Sequence, residues 1–357
     1  MASMSFLALA LSVATVTAQT FVPLRFAGVN IAGFDFGCGT DGTCNVTQAC
    51  PPLTQLGCAD GLGQMQHFVE NDGYNVFRLP VGWQYLTYSQ MTGVLNETQF
   101  YNYNMLVNAC LSTGAYCEID IHNYARYDGE IIGQGGPSNE VFAELWYNIA
   151  DYWKYENRVI FGVFLMKLDG YTQDIVTWAG SVQAAVTAIR STGANSQIIL
   201  LPGNNYTSAE TFISSGSAAA LNMVRNPDGS ITNLVMDVHK YLDYDNSGTH
   251  AECVTNNIES SWYPLSMWLR ENGRQALNTE TGGGDVDSCV GYLSQQLAYQ
   301  AANSDVILGY IGWAAGSFAT NYILSETPCY NGTGWNDTLT VSTALSPMTN
   351  MLVSSVA

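Results

Sequence analysis

The chain has 357 residues, 47% of them hydrophobic, which is ample for a large core, and only 11% charged, against roughly 25% in an average soluble domain. Eleven Lys+Arg against 30 Asp+Glu give a net charge of −19 with no basic run, which argues against binding to nucleic acid or to anionic membranes. Polarity comes instead from 21 tyrosines and loops rich in Asn, Gly, Ser and Thr, a surface suited to neutral hydrogen-bonding ligands.

Taken in chain order, the N-terminus comes first. The apolar run Phe6–Ala14, with Val16 and Ala18 at small-residue positions, reads as a secretory signal cut after Ala18, which leaves residues 19–357 as the mature domain. No later stretch reaches about 18 uninterrupted apolar residues, so no membrane span is expected. The stretch Gly37–Gly63 is Cys-rich and irregular and reads as a loop covering one end of the fold. Short apolar runs then alternate with amphipathic segments. The runs are Phe26–Ile31, Asn75–Leu79, Tyr116–Ile121, Val159–Leu165, Gln197–Leu201, Leu234–Val238, Gln275–Thr279 and Val306–Gly312. Most carry Val, Ile or Phe without alternation, as strands buried on both faces do. Helical patterns fall at Gly63–Asn71, Glu97–Ser112, Asn139–Tyr155, Val176–Ser191, Ala209–Val224, Ser260–Glu271, Val286–Asn303 and Ser342–Val353. Such β-then-α alternation predicts an α/β fold, a single-domain (β/α)8 TIM barrel. An open doubly wound sheet is the alternative, but no glycine fingerprint of a dinucleotide site follows the first run.

Nine cysteines in a secreted chain predict disulfides, with Cys38/Cys44, Cys50/Cys58, Cys110/Cys117 and Cys253/Cys289 as pairs and Cys329 left over. C-x-x-C spacing is absent, so no structural zinc site is expected. Sequons at Asn45, Asn96, Asn205, Asn331 and Asn336 fit secretion.

In a barrel of this kind the chemistry lies where the strands end. The second run ends in Phe77-Arg78-Leu79-Pro80 followed by Gly82-Trp83, and the third in Asp120-Ile121-His122-Asn123-Tyr124. The fifth ends in Pro202-Gly203-Asn204-Asn205-Tyr206, the sixth in Asp237-Val238-His239-Lys240-Tyr241, and the eighth in Gly312-Trp313. The seventh runs into Glu280, after which Gly282, Gly283 and Gly284 predict a sharp turn. A carboxylate at that rim predicts catalysis. Arg78 would keep it ionised, and His122 and His239 would tune it and bond ligand hydroxyls. Trp83, Trp313, Asn123, Tyr124, Asn205 and Tyr241 would supply aromatic faces and polar handles. The plainer readings are a structural ion pair for Arg78, core histidines, and rim packing for the tryptophans.

Phe26–Cys38, Phe77–Trp83, Asp120–Arg126, Ile131–Pro137, Asp237–Asp243 and Thr279–Gly284 together resemble fungal secreted endo-β-1,4-glucanases of glycoside hydrolase family 5, over about Arg25 to Pro347. The resemblance implies a (β/α)8 barrel, retaining hydrolysis of cellulose-like β-1,4-glucans, and no metal or other cofactor. Carried over by motif, Glu280 matches the nucleophile, and Arg78, His122, His239, Tyr241 and Trp313 match its supporting residues. The partner expected is a β-glucan polysaccharide, with no nucleic acid or membrane partner, and the protein is expected to be a monomer.

One motif departs from the family. Its fourth strand ends in a Met-Asn-Glu-Pro type sequence whose Glu is the general acid/base, whereas this chain reads Phe161-Gly162-Val163-Phe164-Leu165-Met166-Lys167-Leu168-Asp169. Leu165 and Met166 fall where Asn and Glu belong. Met166 can neither donate nor take a proton, and general acid–base catalysis is worth roughly 10²–10⁴-fold. Three readings follow: a catalytically dead glucan-binding protein, Asp169 as a substitute acid, or a misplaced exon boundary in the deduced sequence of an active cellulase.

Overall fold

A computed structural model describes residues 23–54, 60–163 and 173–352. The expected signal segment, Cys58, and the fourth-strand positions Leu165, Met166 and Asp169 lie outside the described residues.

Eight parallel strands close into a barrel: β1 (Phe26–Ala32), β2 (Val76–Val81), β3 (Tyr116–Ile121), β4 (Val159–Gly162), β5 (Ile198–Pro202), β6 (Leu234–His239), β7 (Ala276–Thr281) and β8 (Ile307–Gly316). Each strand pairs with its sequence neighbours, and β8 pairs with β1. The helices are α1 (Gly61–Glu70), α2 (Trp83–Thr87), α3 (Glu97–Ser112), α4 (Asn139–Trp153), α5 (Ile175–Ser191), α6 (Ser217–Leu221), α7 (Tyr263–Glu271) and α8 (Asp287–Ala302). The (β/α)8 expectation therefore holds. Side-chain caps set several helix starts. Asp60, Asn96, Ser138 and Asp174 each accept a bond from a first-turn backbone N–H, which satisfies donors the helix cannot pair internally.

Alternation along the strands separates two cores. Phe26, Val76, Ile160, Ile198, Leu200, Val235, Leu277, Leu308 and Ile311 form one cluster, filling the barrel interior. Their neighbours Ala27, Phe77, Phe161, Ile199 and Met236 belong to the larger core shared with the helices. Two residues beyond Val76 and Tyr116 come Arg78 and Glu118, so the same inward face turns from apolar to charged one layer higher.

The decisive irregularity is in β7. Against β6, one step from Val238 to His239 is matched by two steps from Asn278 to Glu280. Against β8, two steps from Tyr310 to Gly312 are matched by three from Asn278 to Thr281. This extra residue is a β-bulge, which breaks the alternation and re-aims side chains. Asn278 and Thr281 face α8, where Thr281 accepts from Gln296 Nε2 at 2.8 Å. Thr279 and Glu280, although adjacent, both turn inward: Thr279 bonds Asp237 and Glu280 bonds Arg78.

Other expectations need correction. Of the helix expected over Ala209–Val224 only Ser217–Leu221 forms. Asn205, Tyr206 and Thr207 have positive φ, and the apolar spacing instead buries Ala209 and Phe212 of a turn-rich loop. The expected helix over Ser342–Val353 is a π turn at Val341–Leu345 followed by a 3-10 turn at Ser346–Met351, because Pro347 lacks the N–H that would continue the first turn. Cys38–Cys44, Cys110–Cys117 and Cys253–Cys289 are bridged as expected. Cys329 is disulfide-bonded, not left over, and Cys50 is an exposed free thiol, so the Cys50/Cys58 pairing is wrong. The glycines after Glu280 serve close approach. A Cβ at Gly283 would lie 2.4 Å from the sulfurs of both Cys253 and Cys289.

The Cys253–Cys289 disulfide ties the loop after β6 to the first turn of α8 and packs against the turn after β7. Its sequence separation is 36 residues. The double variant Cys253→Ala/Cys289→Ala is expected to lose about 2–4 kcal/mol in urea unfolding, the range for removing such a cross-link. A loss under about 1 kcal/mol would show that side-chain packing alone holds the loop.

Candidate active site

At the C-terminal mouth of the barrel one guanidinium is surrounded by carboxylates. Arg78 is wholly buried. Its Nη1 donates to Glu280 Oε1 at 2.6 Å and to Asn30 Oδ1 at 2.9 Å, and its Nε donates to Glu118 Oε1 at 3.2 Å. Nη2 lies 2.9 Å from Asp120 Oδ2, an ion-pair contact off the hydrogen-bonding angle. Strand register explains the gathering: Arg78 pairs with Glu118 on β3 and with Asn30 on β1. Asn30 in turn donates to the carbonyls of Thr279 and Gly312, which ties β1 to both β7 and β8.

Glu280 is 5% exposed. Its Oε2 accepts from the Tyr241 hydroxyl at 2.9 Å and lies 3.4 Å from His239 Nδ1. Burial alone would push this carboxyl up. His239 in its protonated form, Arg78 and His122 outweigh burial and hold it at about 2. Burial also drives His239 down to about 3, so above that pH the imidazole is neutral and Arg78 is the permanent cation that keeps Glu280 ionised. Burial raises Tyr241 well above the ordinary phenol range, with Glu280 adding to it, so Tyr241 remains a donor. Burial likewise raises Glu118 and Asp237, against the pull of Arg78. One cation cannot neutralise four buried carboxylates, and these two give way so that Glu280 does not. His122 Nδ1 sits 2.8 Å from Asp120 Oδ2; burial opposes a proton there, but Asp120 outweighs it and the imidazole pKa is raised.

The aromatic lining lies beside this charge cluster. Trp313 is half-buried and stacks on His122 with centroids 5.4 Å apart and planes at 16°, while its Nε1 lies 3.2 Å from the Tyr322 hydroxyl. The Trp313–Ala314 peptide is cis. Tyr124 meets His122 edge-on at 5.2 Å and Tyr206 edge-on at 6.3 Å. Asn205 is half-buried, and its amide donates to Thr211 at 2.8 Å.

Of the residues singled out from sequence, Glu280, Arg78, His122, His239, Tyr241, Trp313 and Tyr124 are brought together. Trp83 and Asn123 are not ligand-facing. Trp83 is fully buried at the start of α2, against Tyr127 and Phe142, with its Nε1 donating to Thr92 O. Asn123, also buried, accepts from the Trp83 backbone N–H at 2.6 Å and donates to Gln84. Both brace the rim. Glu118, Asp120, Asp237 and Asn30 were missed, although polar residues at every second position of an otherwise apolar strand, as in Glu118-Ile119-Asp120, signal an inward charged face.

A buried, ionised carboxylate at the open end of a barrel, flanked by aromatic side chains, suits attack on a sugar ring. The comparisons agree. The family model described as Cellulase (glycosyl hydrolase family 5) matches residues 40–318. The chain is 57% identical over 327 residues to Endoglucanase EG-II of Hypocrea jecorina, covering 90% of this chain and 78% of that protein. It is 47% identical over 308 residues to Endoglucanase 1 of Saitozyma flava, covering 85% of each. The crystal structure of Cel5A (EG2) from Hypocrea jecorina superposes with a TM-score of 0.88 at 56% identity, covering 91% of this chain and 99% of that one. With its barrel, its charged mouth and these relatives, the chain belongs to glycoside hydrolase family 5 and is of the fungal endo-β-1,4-glucanase type.

Proposed function

We propose that the protein is a secreted, single-domain retaining endo-β-1,4-glucanase whose nucleophile is Glu280, acting on internal bonds of a cellulose-like glucan. The observation that carries this reading is the carboxylate of Glu280, held ionised by Arg78 and oriented by the Tyr241 hydroxyl. Glu280 attacks the anomeric carbon as the glycosidic C–O bond breaks, the leaving oxygen departs protonated as a sugar hydroxyl, and water then hydrolyses the glycosyl-enzyme and frees Glu280. Tyr241 and Arg78 fix its two oxygens, one each. His122 and His239 line the same mouth and bond sugar hydroxyls, and the half-buried Trp313 offers its ring to a pyranose face.

The fourth strand gives a second reading a specific basis. The sequence Phe164-Leu165-Met166-Lys167-Leu168 carries no carboxylate where the family's acid/base stands. Without it, protonation of an unactivated leaving oxygen is lost, which slows turnover by roughly 10²–10⁴-fold and leaves a glucan-binding protein with a working nucleophile. An aryl β-cellobioside with a strongly acidic phenol separates the readings, because its first step needs no acid. Without an acid/base, azide should accelerate its turnover by at least about tenfold and give β-cellobiosyl azide; with one present azide should have no effect, and in either case Glu280→Gln should abolish turnover. Cello-oligosaccharide binding with no turnover of the aryl glycoside would leave only the binding protein.

The pH profile follows from the same geometry. Glu280 works as the carboxylate, and its pKa is depressed to about 2, so the aryl-glycoside rate should hold as pH falls through 4 and fail only near 2. The depressed pKa also contributes folding stability that is complete above the unfolded value of about 4.3 and is lost as pH falls toward the folded one. Tyr241→Phe removes one donor to the charged group. It should lower kcat by roughly 10–100-fold and move the acid limb up by about one unit or more. An unmoved limb would assign the ionisation of Glu280 to Arg78 alone.

A further inference from the structure

Away from the mouth, a second group of titratable side chains joins α1 to the segment after β8. His67 lies in the last turn of α1, Asp72 in the turn leading to β2, and Asp337 beyond β8. His67 Nε2 lies 2.8 Å from Asp337 Oδ1 and 3.4 Å from Asp72 Oδ2, and these three atoms are all within 4.8 Å of one another. The other ring nitrogen, Nδ1, is 3.0 Å from Asn71 Oδ1. An amide oxygen only accepts, so Nδ1 carries the hydrogen, and Nε2 is left to face two carboxylates.

Protonated at both nitrogens, the imidazolium has a single N–H at Nε2, which can serve only one of them well. It serves Asp337, and Asp72 Oδ2, on a residue only 7% exposed, makes no hydrogen bond. A buried carboxylate oxygen without a hydrogen bond is unfavourable, and two carboxylates converging on one imidazole favour a cation between them. We propose that His67, Asp72 and Asp337 form a binding site for a divalent first-row cation such as Mn²⁺ or Zn²⁺, held by Nε2 and one oxygen from each aspartate.

The donor set of one imidazole and two carboxylates suits such ions. Ligands at about 2.0–2.2 Å around a tetrahedral or octahedral ion stand roughly 2.8–3.6 Å apart, and the observed 2.8 and 3.4 Å separations fall within that span. Asn71 supplies the outer bond that fixes the tautomer of a ligating histidine. Trp335 stacks on the imidazole at 5.6 Å and 21°, which holds the ring plane. Access is from the Asp337 side, whose side chain is 18% exposed against 6% for His67. The ion would staple α1 to the chain after β8, so it would act on stability and leave the barrel mouth alone. The alternative occupant of the space is a proton, with His67 as an imidazolium between the two aspartates.

The test uses the full protein, stripped with a chelator and titrated with Mn²⁺ near neutral pH while the free-ion EPR signal is followed. One equivalent should bind, and about 1 mM Mn²⁺ or Zn²⁺ should raise Tm by roughly 3–5 °C while Mg²⁺ does not. Both effects should vanish in Asp337→Asn and in His67→Gln, each checked for native circular dichroism, while aryl-cellobioside turnover stays within about twofold. Asp245→Asn is the control, because Asp243, Asp245 and His250 form another, more exposed group. The proposal is overturned if the stripped protein binds no Mn²⁺, if binding survives both substitutions in folded protein, or if it is lost in Asp245→Asn instead.

Discussion

The site depends on a single buried cation. Arg78 sits among Glu280, Glu118 and Asp120, with Asp237 close enough to feel it, and has no solvent exposure. Removing one partner of such a network typically costs about 3–5 kcal/mol, because the charges left behind are buried and uncompensated. What the arrangement gains is unequal sharing of charge. Burial makes Glu118 and Asp237 easier to protonate, whereas Glu280 faces Arg78, the hydroxyl of Tyr241 and the imidazoles, and stays ionised. Fixed donors aimed at one carboxylate in a dry site keep it charged without reorganisation during reaction.

The backbone serves that sharing. The bulge in β7 turns Thr279 and Glu280 inward together, so Thr279 can bond Asp237 while Glu280 meets Arg78. A regular strand would send one of the two to the helix side. Asn30 holds the bulged strand in place by bonding the Thr279 carbonyl from β1. The loop glycines beyond allow the Cys253–Cys289 bridge to pack against the same strand end. Strand register, bulge and disulfide therefore act on one point, the position of a single carboxylate.

Much of this was legible in the sequence. Unalternating Val- and Ile-rich runs separated by amphipathic segments gave the barrel, and charged residues at run ends gave Glu280, Arg78, His122 and His239, because strand ends face the mouth whatever the loops do. Less local features were hidden. The bulge depends on pairing with two neighbouring strands and leaves no mark in Gln275–Thr281. Trp83 and Asn123 look like rim ligands by position, yet the turn into α2 folds them back onto Thr92 and Gln84. Cys50 and Cys58 are close in sequence, but Cys50 is free and Cys329 is bridged, since loop paths rather than spacing decide which sulfurs meet. Pro347 ends the first turn of the closing segment, which the apolar spacing around it masks.

Glu280 as the ionised nucleophile of a retaining glycosidase is the proposal on which the rest depends. Intact-protein and peptide mass spectrometry after incubation with a 2-deoxy-2-fluoro-cellobioside bearing a dinitrophenyl leaving group tests it directly, since the fluorine slows the second step and the leaving group removes the need for protonation. One covalent fluoro-cellobiosyl adduct per chain, located on Glu280, is the expected result. An unlabelled protein that still binds cello-oligosaccharide, or an adduct on another carboxylate, would contradict it.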